Sequence, residues 1–359
     1  MLQSDVFESV YLQHFRCHDS LEVKGLQQVN VLRGQNGSGK TTLLEALYFL
    51  ARCKSFRTST NKDLICWGQK SFGLRGNCLN GDMHKKLKVE WSVEGRKLSL
   101  DEHESVNFSQ WWRQVLVIVV TNQDKRLVEG PGQTRRSWAD GLLATIAPEY
   151  LPLIQRTQTL LKQKAALLKE EKPDRILWKT LTEQLREFSQ RINEYRKNFT
   201  EETGVIISEF YSQLTQGHEL LEMKFDSQFE KAETLKEEEL WEREINRRAP
   251  QLGPHRDDWL LILEKSSMRS FGSEGQQKSA ALALRLAELE LIQQETQRWP
   301  VILLDDPLNE LDIARVERFW SYLPRQAQIF YATPQEDSVH LPEDWDLTVW
   351  QVDHNQIKC

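Results

Sequence analysis

The chain has 359 residues, enough to bury a full core and to hold two domains or one domain with a large insertion. Hydrophobic residues make up 39% and charged residues 28%, and the net charge of −6 excludes a globally basic surface, so any nucleic-acid contact has to come from a local one. The five cysteines are scattered without a C-x-x-C pair, and the longest aliphatic runs are strand-length; a cytoplasmic protein with free thiols and no membrane segment is therefore expected.

In chain order, Val29 to Leu32 reads as a short buried strand and Thr42 to Ala51 as a helix, with Leu43, Leu47 and Leu50 at helical spacing. Between them RGQNGSGKTT, residues 33–42, fits the G-x-x-x-x-G-K-[ST] spacing with Gly34, Gly39, Lys40 and Thr41 at the fixed positions. Glycines let consecutive backbone N–H groups turn inward, and the helix N-terminus adds its positive end, so the stretch reads as a phosphate cradle. Lys40 would reach the β- and γ-phosphates, and the Thr41 hydroxyl would ligate Mg²⁺. Leu87 to Val93 alternates, and Val115 to Val120 is an apolar run typical of a covered strand.

From about Glu149 to Leu240 the sequence turns helical and charged. Leu153, Leu160 and Leu167 repeat every seven residues, as do Ile154, Leu161 and Leu168; a second series runs from Leu177 to Phe199 beyond a Pro-containing turn. Two amphipathic helices at about 150–200 thus predict a stubby antiparallel hairpin. Glu233 to Glu244 reads as a solvated charged helix or linker. After Pro250, β-like character returns at Trp259 to Leu263, followed by a helix over 274–294 and strands at Val301 to Asp306 and Ala327 to Thr333. The expected organisation is therefore residues 1–125 and 250–359 folded together around one sheet, with 126–249 as an inserted helical arm.

A phosphate cradle needs an acid for Mg²⁺ and a group that orients the attacking water. The aliphatic strand ending at Asp305 and Asp306 supplies both, Asp305 for the metal and Asp306 for the water. Upstream, Ser273, Gly275 and Gln276 open a helix whose apolar face runs Leu282, Leu286, Leu289 and Ile292, making a second anion site in the same chain. One γ-phosphate does not need two cradles from one subunit. A two-fold pair does, each serine site closing over the nucleotide of its partner.

Loop, S-x-G-Q helix and aliphatic-Asp strand in this order resemble the ABC-type ATPase heads of the structural-maintenance-of-chromosomes group. HFRCH (His14 to His18), CKSFR (Cys53 to Arg57), LVEGPGQTRRSWAD (Leu127 to Asp140), LGPHRDD (Leu252 to Asp258) and LLDDPLNELD (Leu303 to Asp312) narrow the resemblance to the RecF family of bacterial recombination mediators. The likeness covers essentially the whole chain. It implies an α/β ABC-type P-loop ATPase head, a mixed sheet with helices, carrying the inserted arm. It also implies ATP and Mg²⁺ as cofactors and slow hydrolysis that releases an ATP-dependent homodimer. Partners would be gapped or single-strand/double-strand junction DNA and other recombination mediator proteins, with no membrane.

Carried over by residue, the resemblance implies that Gly34, Gln35, Asn36, Gly37, Ser38, Gly39, Lys40, Thr41 and Thr42 bind nucleotide and Mg²⁺. Arg16 joins them from the opening motif, and Ser273, Gly275 and Gln276 form the trans signature. Asn309, Glu310, Leu311 and Asp312 occupy the loop that meets the partner subunit, and Gln123 is a candidate metal- or water-sensing glutamine. Pro307 and Asn309 depart from the family pattern, which bears on hydrolysis rate more than on nucleotide binding. Candidate DNA contacts are Arg52, Lys54, Arg57, Arg135, Arg136, Arg156, Lys162 and Lys164. His255, Asp257 and Asp258 are read as locking a turn. Two alternatives stand beside this one: an ATP-gated DNA clamp or scaffold without significant turnover, and the ATP-binding subunit of a transporter.

Overall fold

The computed structural model describes residues 3–80, 82–101, 103–104, 106–217, 219–308, 311–334, 342, 345–353 and 356–358. It divides into two compact units, Met1–Asp124 with Glu288–Cys359, and Lys125–Ala287.

The first unit holds two sheets where one was expected. Aliphatic runs covered on both faces make the parallel one, in the order Leu347–Asp353, Val29–Arg33, Ile329–Thr333, Val301–Asp305, Val117–Thr121, with Gln356–Lys358 antiparallel at one edge. The alternating segments make the other. Gln3–Phe15 pairs antiparallel with both His18–Lys24 and Ser71–Asn80, and Met83–Ser92 and Gly95–Leu100 continue the sheet. The helix Lys40–Arg52 touches strands of both sheets. Its Leu43, Leu47, Phe49 and Leu50 are wholly buried in a core shared with Phe15, Phe72, Val119 and Leu303. That packing fixes the start of the helix against the carboxyl ends of the parallel strands.

The second unit begins close to the expected boundary but ends later, so the expected boundary at 249/250 is corrected. Strand Asp258–Leu263 pairs antiparallel with Leu221–Asp226, which keeps residues 250–287 with the helical segment. Leu221–Asp226 was missed because LEMKFD is short and charged. Helices Tyr150–Leu167 and Arg175–Thr215 pack on each other through the two leucine series, the second running on to residue 215. The long helix Glu274–Thr296 follows in sequence.

Several cations proposed for DNA are architectural instead. Lys164 is fully buried and pairs with Glu244 at 2.8 Å, beside the Trp178 ring. Glu244, expected on a wet face, also accepts from Trp178 Nε1 at 2.6 Å and from the Gln251 N–H at 2.6 Å. Arg135 forks onto Asp258 at 2.8 and 2.9 Å, and Arg136 donates to the Asp257 carbonyl at 2.6 Å. Asp257 is held by Arg196 at 2.7 Å and by the Gln228 N–H at 2.8 Å. The R-R-S-W-A-D and G-P-H-R-D-D stretches thus latch one another. Arg52 is buried in the first unit, bonded to the Val117 carbonyl at 3.2 Å and stacked over Trp112. Lys54, Arg57, Arg156 and Lys162 remain exposed.

Replacing Glu244 by alanine would leave the Lys164 ammonium buried and unpaired. The expected loss is about 3–5 kcal/mol of unfolding free energy in urea titration, and a loss below about 1 kcal/mol would contradict this pair.

Candidate functional site

The cradle is shaped by what its glycines lack. Gly37 and Gly39 take φ of +82° and +110°, a region costly for side chains. At Gly39 an added Cβ would lie 3.0 Å from His18 Nε2, and at Gly34 it would run into the Val352 carbonyl. His18 is fully buried behind Gly39 with both ring nitrogens unpartnered, and burial lowers its pKa, so it backs the loop as a neutral ring.

Lys40 curls over the loop, its ammonium donating to the carbonyls of Gly34 at 2.6 Å and Gln35 at 2.8 Å. Burial lowers its pKa, opposed by the charges of Asp305 and Asp306. An ammonium in a half-dry loop takes whatever acceptors are present, here its own loop carbonyls. The Ser38 hydroxyl is buried without a partner. Gln35 and Asn36 are exposed at the loop tip, and Thr42 is buried, 3.8 Å from Cys17 Sγ.

Thr41 Oγ1 donates to Asp305 Oδ1 at 2.8 Å, which joins the loop to the end of the acid strand, one strand removed from Val29–Arg33 in the sheet. Burial raises the Asp305 pKa, opposed by the Thr41 hydrogen bond and then by Arg57 and Lys40. A hydroxyl and a carboxylate at this distance, beside an orphaned serine and a self-capped lysine, fit a Mg²⁺-nucleotide: Thr41 and Asp305 would hold the metal, and the loop the phosphates. Asp306 takes φ of +52° just past the strand, with its N–H on the Ala332 carbonyl at 3.2 Å. A non-glycine residue held there costs roughly 1–3 kcal/mol, a strain typical of functional positions. Gln123 is exposed on the turn after Val117–Thr121, two residues beyond Thr121, which is in register with Asp305.

Arg16 is spent differently from the expectation that it binds nucleotide. Its guanidinium forks onto Glu45 at 2.7 and 2.8 Å and donates to the Asp63 carbonyl at 2.9 Å, so reaching a nucleotide would require leaving Glu45. Glu45, on the inner face of the cradle helix, also receives the Ser55 hydroxyl and lies 3.6 Å from Arg57. No local pattern marks it, because an acid at an apolar helix position carries no motif of its own.

In the second unit Ser273 is exposed at the start of its helix. Ser273 and Gln276 cap each other, N–H to side chain, at 2.8 and 3.3 Å. The Gln276 amide donates to Glu219 at 2.9 and 3.2 Å, another partner that sequence spacing did not suggest, and Gly275 follows within the first turn. Leu311 and Asp312 are described, Asp312 capping helix Ile313–Ser321; Asn309 and Glu310 lie outside the described residues.

Comparison with known proteins gives a consistent picture. An AAA-domain family model matches residues 9–299. The DNA replication and repair protein RecF of Listeria monocytogenes serotype 4b (strain CLIP80459) is 31% identical over 98% of this chain and 99% of its own. RecF of Ligilactobacillus salivarius (strain UCC118) is 33% identical over 91% and 90%. Among solved structures, the recombination mediator protein RecF-ATP of the RecFOR pathway superposes with a TM-score of 0.89 at 24% identity, covering 100% and 98%. A Pyrococcus furiosus Smc head domain does so at 0.56 and 14%, covering 99% and 95%. These superpositions establish the fold as that of an ABC-type ATPase head.

Because the folded-state pKa of Asp305 is raised, its contribution to stability is present at low pH and is lost as pH rises through that pKa. Asp305→Asn should therefore raise the unfolding temperature of the nucleotide-free protein at pH 7, with the gain shrinking toward pH 4. Differential scanning calorimetry across that range tests it. A variant less stable than the parent at pH 7 would refute the reading.

Proposed function

The chain belongs to the RecF family of DNA replication and repair proteins, and on that premise we propose that it is an ATP-switched, DNA-binding ATPase of recombinational repair. In this reading the cofactors are ATP and Mg²⁺, and binding favours a homodimer on gapped or junction DNA. Slow hydrolysis releases the dimer, and the chain works with other recombination mediators in the cytoplasm. No helix among the described residues is long and apolar enough to cross a membrane, and membership of this family sets the transporter alternative aside.

The observation that carries the reading is the pairing of Thr41 with Asp305 under a lysine that caps its own loop. Bound Mg²⁺-ATP supplies a phosphoanhydride whose cleavage is accelerated by charge neutralisation and positioning. Lys40 would exchange the Gly34 and Gln35 carbonyls for phosphate oxygens. Thr41 and Asp305 would hold the metal, Asp306 would accept the proton of the attacking water, and Gln123 would orient that water from the adjacent strand end. Ser273, with the N-terminal amides of its long helix, offers an anion site exposed in the monomer, suited to the terminal phosphate held by a second copy. Closing that site on a phosphate requires Gln276 to loosen from Glu219.

Sedimentation with and without ATP tests the switch. The parent should shift from monomer to dimer with ATP. Lys40→Ala should lose nucleotide affinity by at least about tenfold and show no shift. Ser273→Arg should bind ATP as the parent does yet stay monomeric. A Ser273→Arg protein that still dimerises would remove the trans assignment. Asp306→Asn should dimerise with ATP, persist as a dimer, and hydrolyse about 10²–10⁴-fold more slowly by phosphate release. Unchanged release by that variant would favour a scaffold without turnover.

A further inference from the structure

The net charge of the chain is −6, yet residues 54–70 carry four cations, Lys54, Arg57, Lys62 and Lys70, against the single acid Asp63. All four are exposed, and the Asp63 carboxylate is already engaged by the Thr58 hydroxyl at 2.8 Å. Within this loop Trp67 is 99% exposed, more than any other large apolar side chain among the described residues. Leaving an indole in water forgoes a burial worth roughly 1.5–3 kcal/mol for a large apolar side chain.

The exposure does not come from a loose segment. The Cys66 N–H donates to the His14 carbonyl at 2.8 Å, the Gln69 N–H to the Cys66 carbonyl at 3.0 Å, and the Arg16 N–H to the Leu64 carbonyl at 2.7 Å. Ile65 bridges Phe15, Leu64 is fully buried, and Gly68 supplies the positive φ of +82° that the turn requires. The indole is thus held out on a fastened turn. An exposed indole on a fastened turn, with cations on either side of it in the loop sequence, has the two components of single-strand recognition, stacking and phosphate neutralisation. A blunt duplex offers it only the outer faces of its two terminal base pairs, the interior bases being stacked on both sides.

We infer that Trp67, with Lys62 and Lys70, is a stacking platform for an unpaired base of single-stranded DNA, the single-stranded side of a gap or junction. The inference rests on the DNA-binding reading and assigns its contact surface. That surface is fastened to the nucleotide site, because the turn hangs on Arg16 and Asp63, and Arg16 on Glu45 of the cradle helix.

The test uses the full chain with a labelled single strand, a duplex with a single-stranded tail and a blunt duplex, at several salt concentrations. Trp67→Ala should weaken single-strand and tailed-duplex binding roughly 5- to 100-fold and leave the blunt duplex and ATP affinity unchanged, while Trp67→Phe stays within about threefold of the parent. Lys62→Ala and Lys70→Ala should each flatten the single-strand salt slope by roughly 0.7. If the parent binds none of the three nucleic acids, the DNA-binding reading falls and the platform with it. If the parent binds and Trp67→Ala binds equally well, the platform alone is overturned. Loss of ATP-dependent dimerisation in Trp67→Ala with DNA binding intact would make the indole a protein contact and likewise overturn it.

Discussion

A carboxylate with no access to water sits on the inner face of the helix that follows the glycine loop, and two other stretches of the first unit send side chains to neutralise it. Burying an isolated charge costs several kcal/mol, so Glu45 has to recruit partners. It takes the Arg16 guanidinium, the Ser55 hydroxyl and, at longer range, Arg57. Arg16 stands in the two-residue turn between strands paired at Phe15 and His18, and it holds φ of +56°, a conformation that most residues avoid. The ion pair with Glu45 stabilises that turn. The turn in turn places His18 behind Gly39, so the shape of the cradle depends on a charge that never touches it.

The same economy runs through the second unit. Arg196 is buried with Asp140, Asp257, the Pro254 carbonyl and the face of Trp259. Arg135 and Arg136 complete the latch between two distant stretches. Basic residues in motifs look like ligands for phosphate, yet here an arginine in a buried position serves geometry, because its planar fork satisfies carboxylates and carbonyls together. What remains for an anionic partner is the exposed set, and part of it is the loop from Lys54 to Lys70, with a single acid against four cations, that Glu45 also anchors.

The two helix starts proposed to hold phosphate differ in how their polar groups are already engaged. The Lys40 ammonium rests on the loop carbonyls, and Thr41 is already bonded to Asp305, so in the proposed reading a nucleotide would need only an exchange of acceptors. Ser273 and Gln276 instead satisfy each other, and Gln276 is held by Glu219. A helix start closed in this way meets an incoming anion only after local hydrogen bonds are exchanged, which would make assembly the later and more costly event.

The sequence alone determined the local chemistry: the glycine loop between strand and helix, the acids at the end of an aliphatic strand, the serine-capped helix and the leucine series of the hairpin. Each of these is written within a few residues, where spacing and backbone preference suffice. Tertiary structure decided which like-looking residues are free. Lys164 and Glu244, Arg135 and Asp258, and Arg16 and Glu45 are partners 80, 123 and 29 residues apart. It also decided that Asp258–Leu263 pairs with Leu221–Asp226 in a three-stranded sheet of its own. Long-range pairing and the burial of charge depend on which surfaces meet, and no local pattern records that meeting.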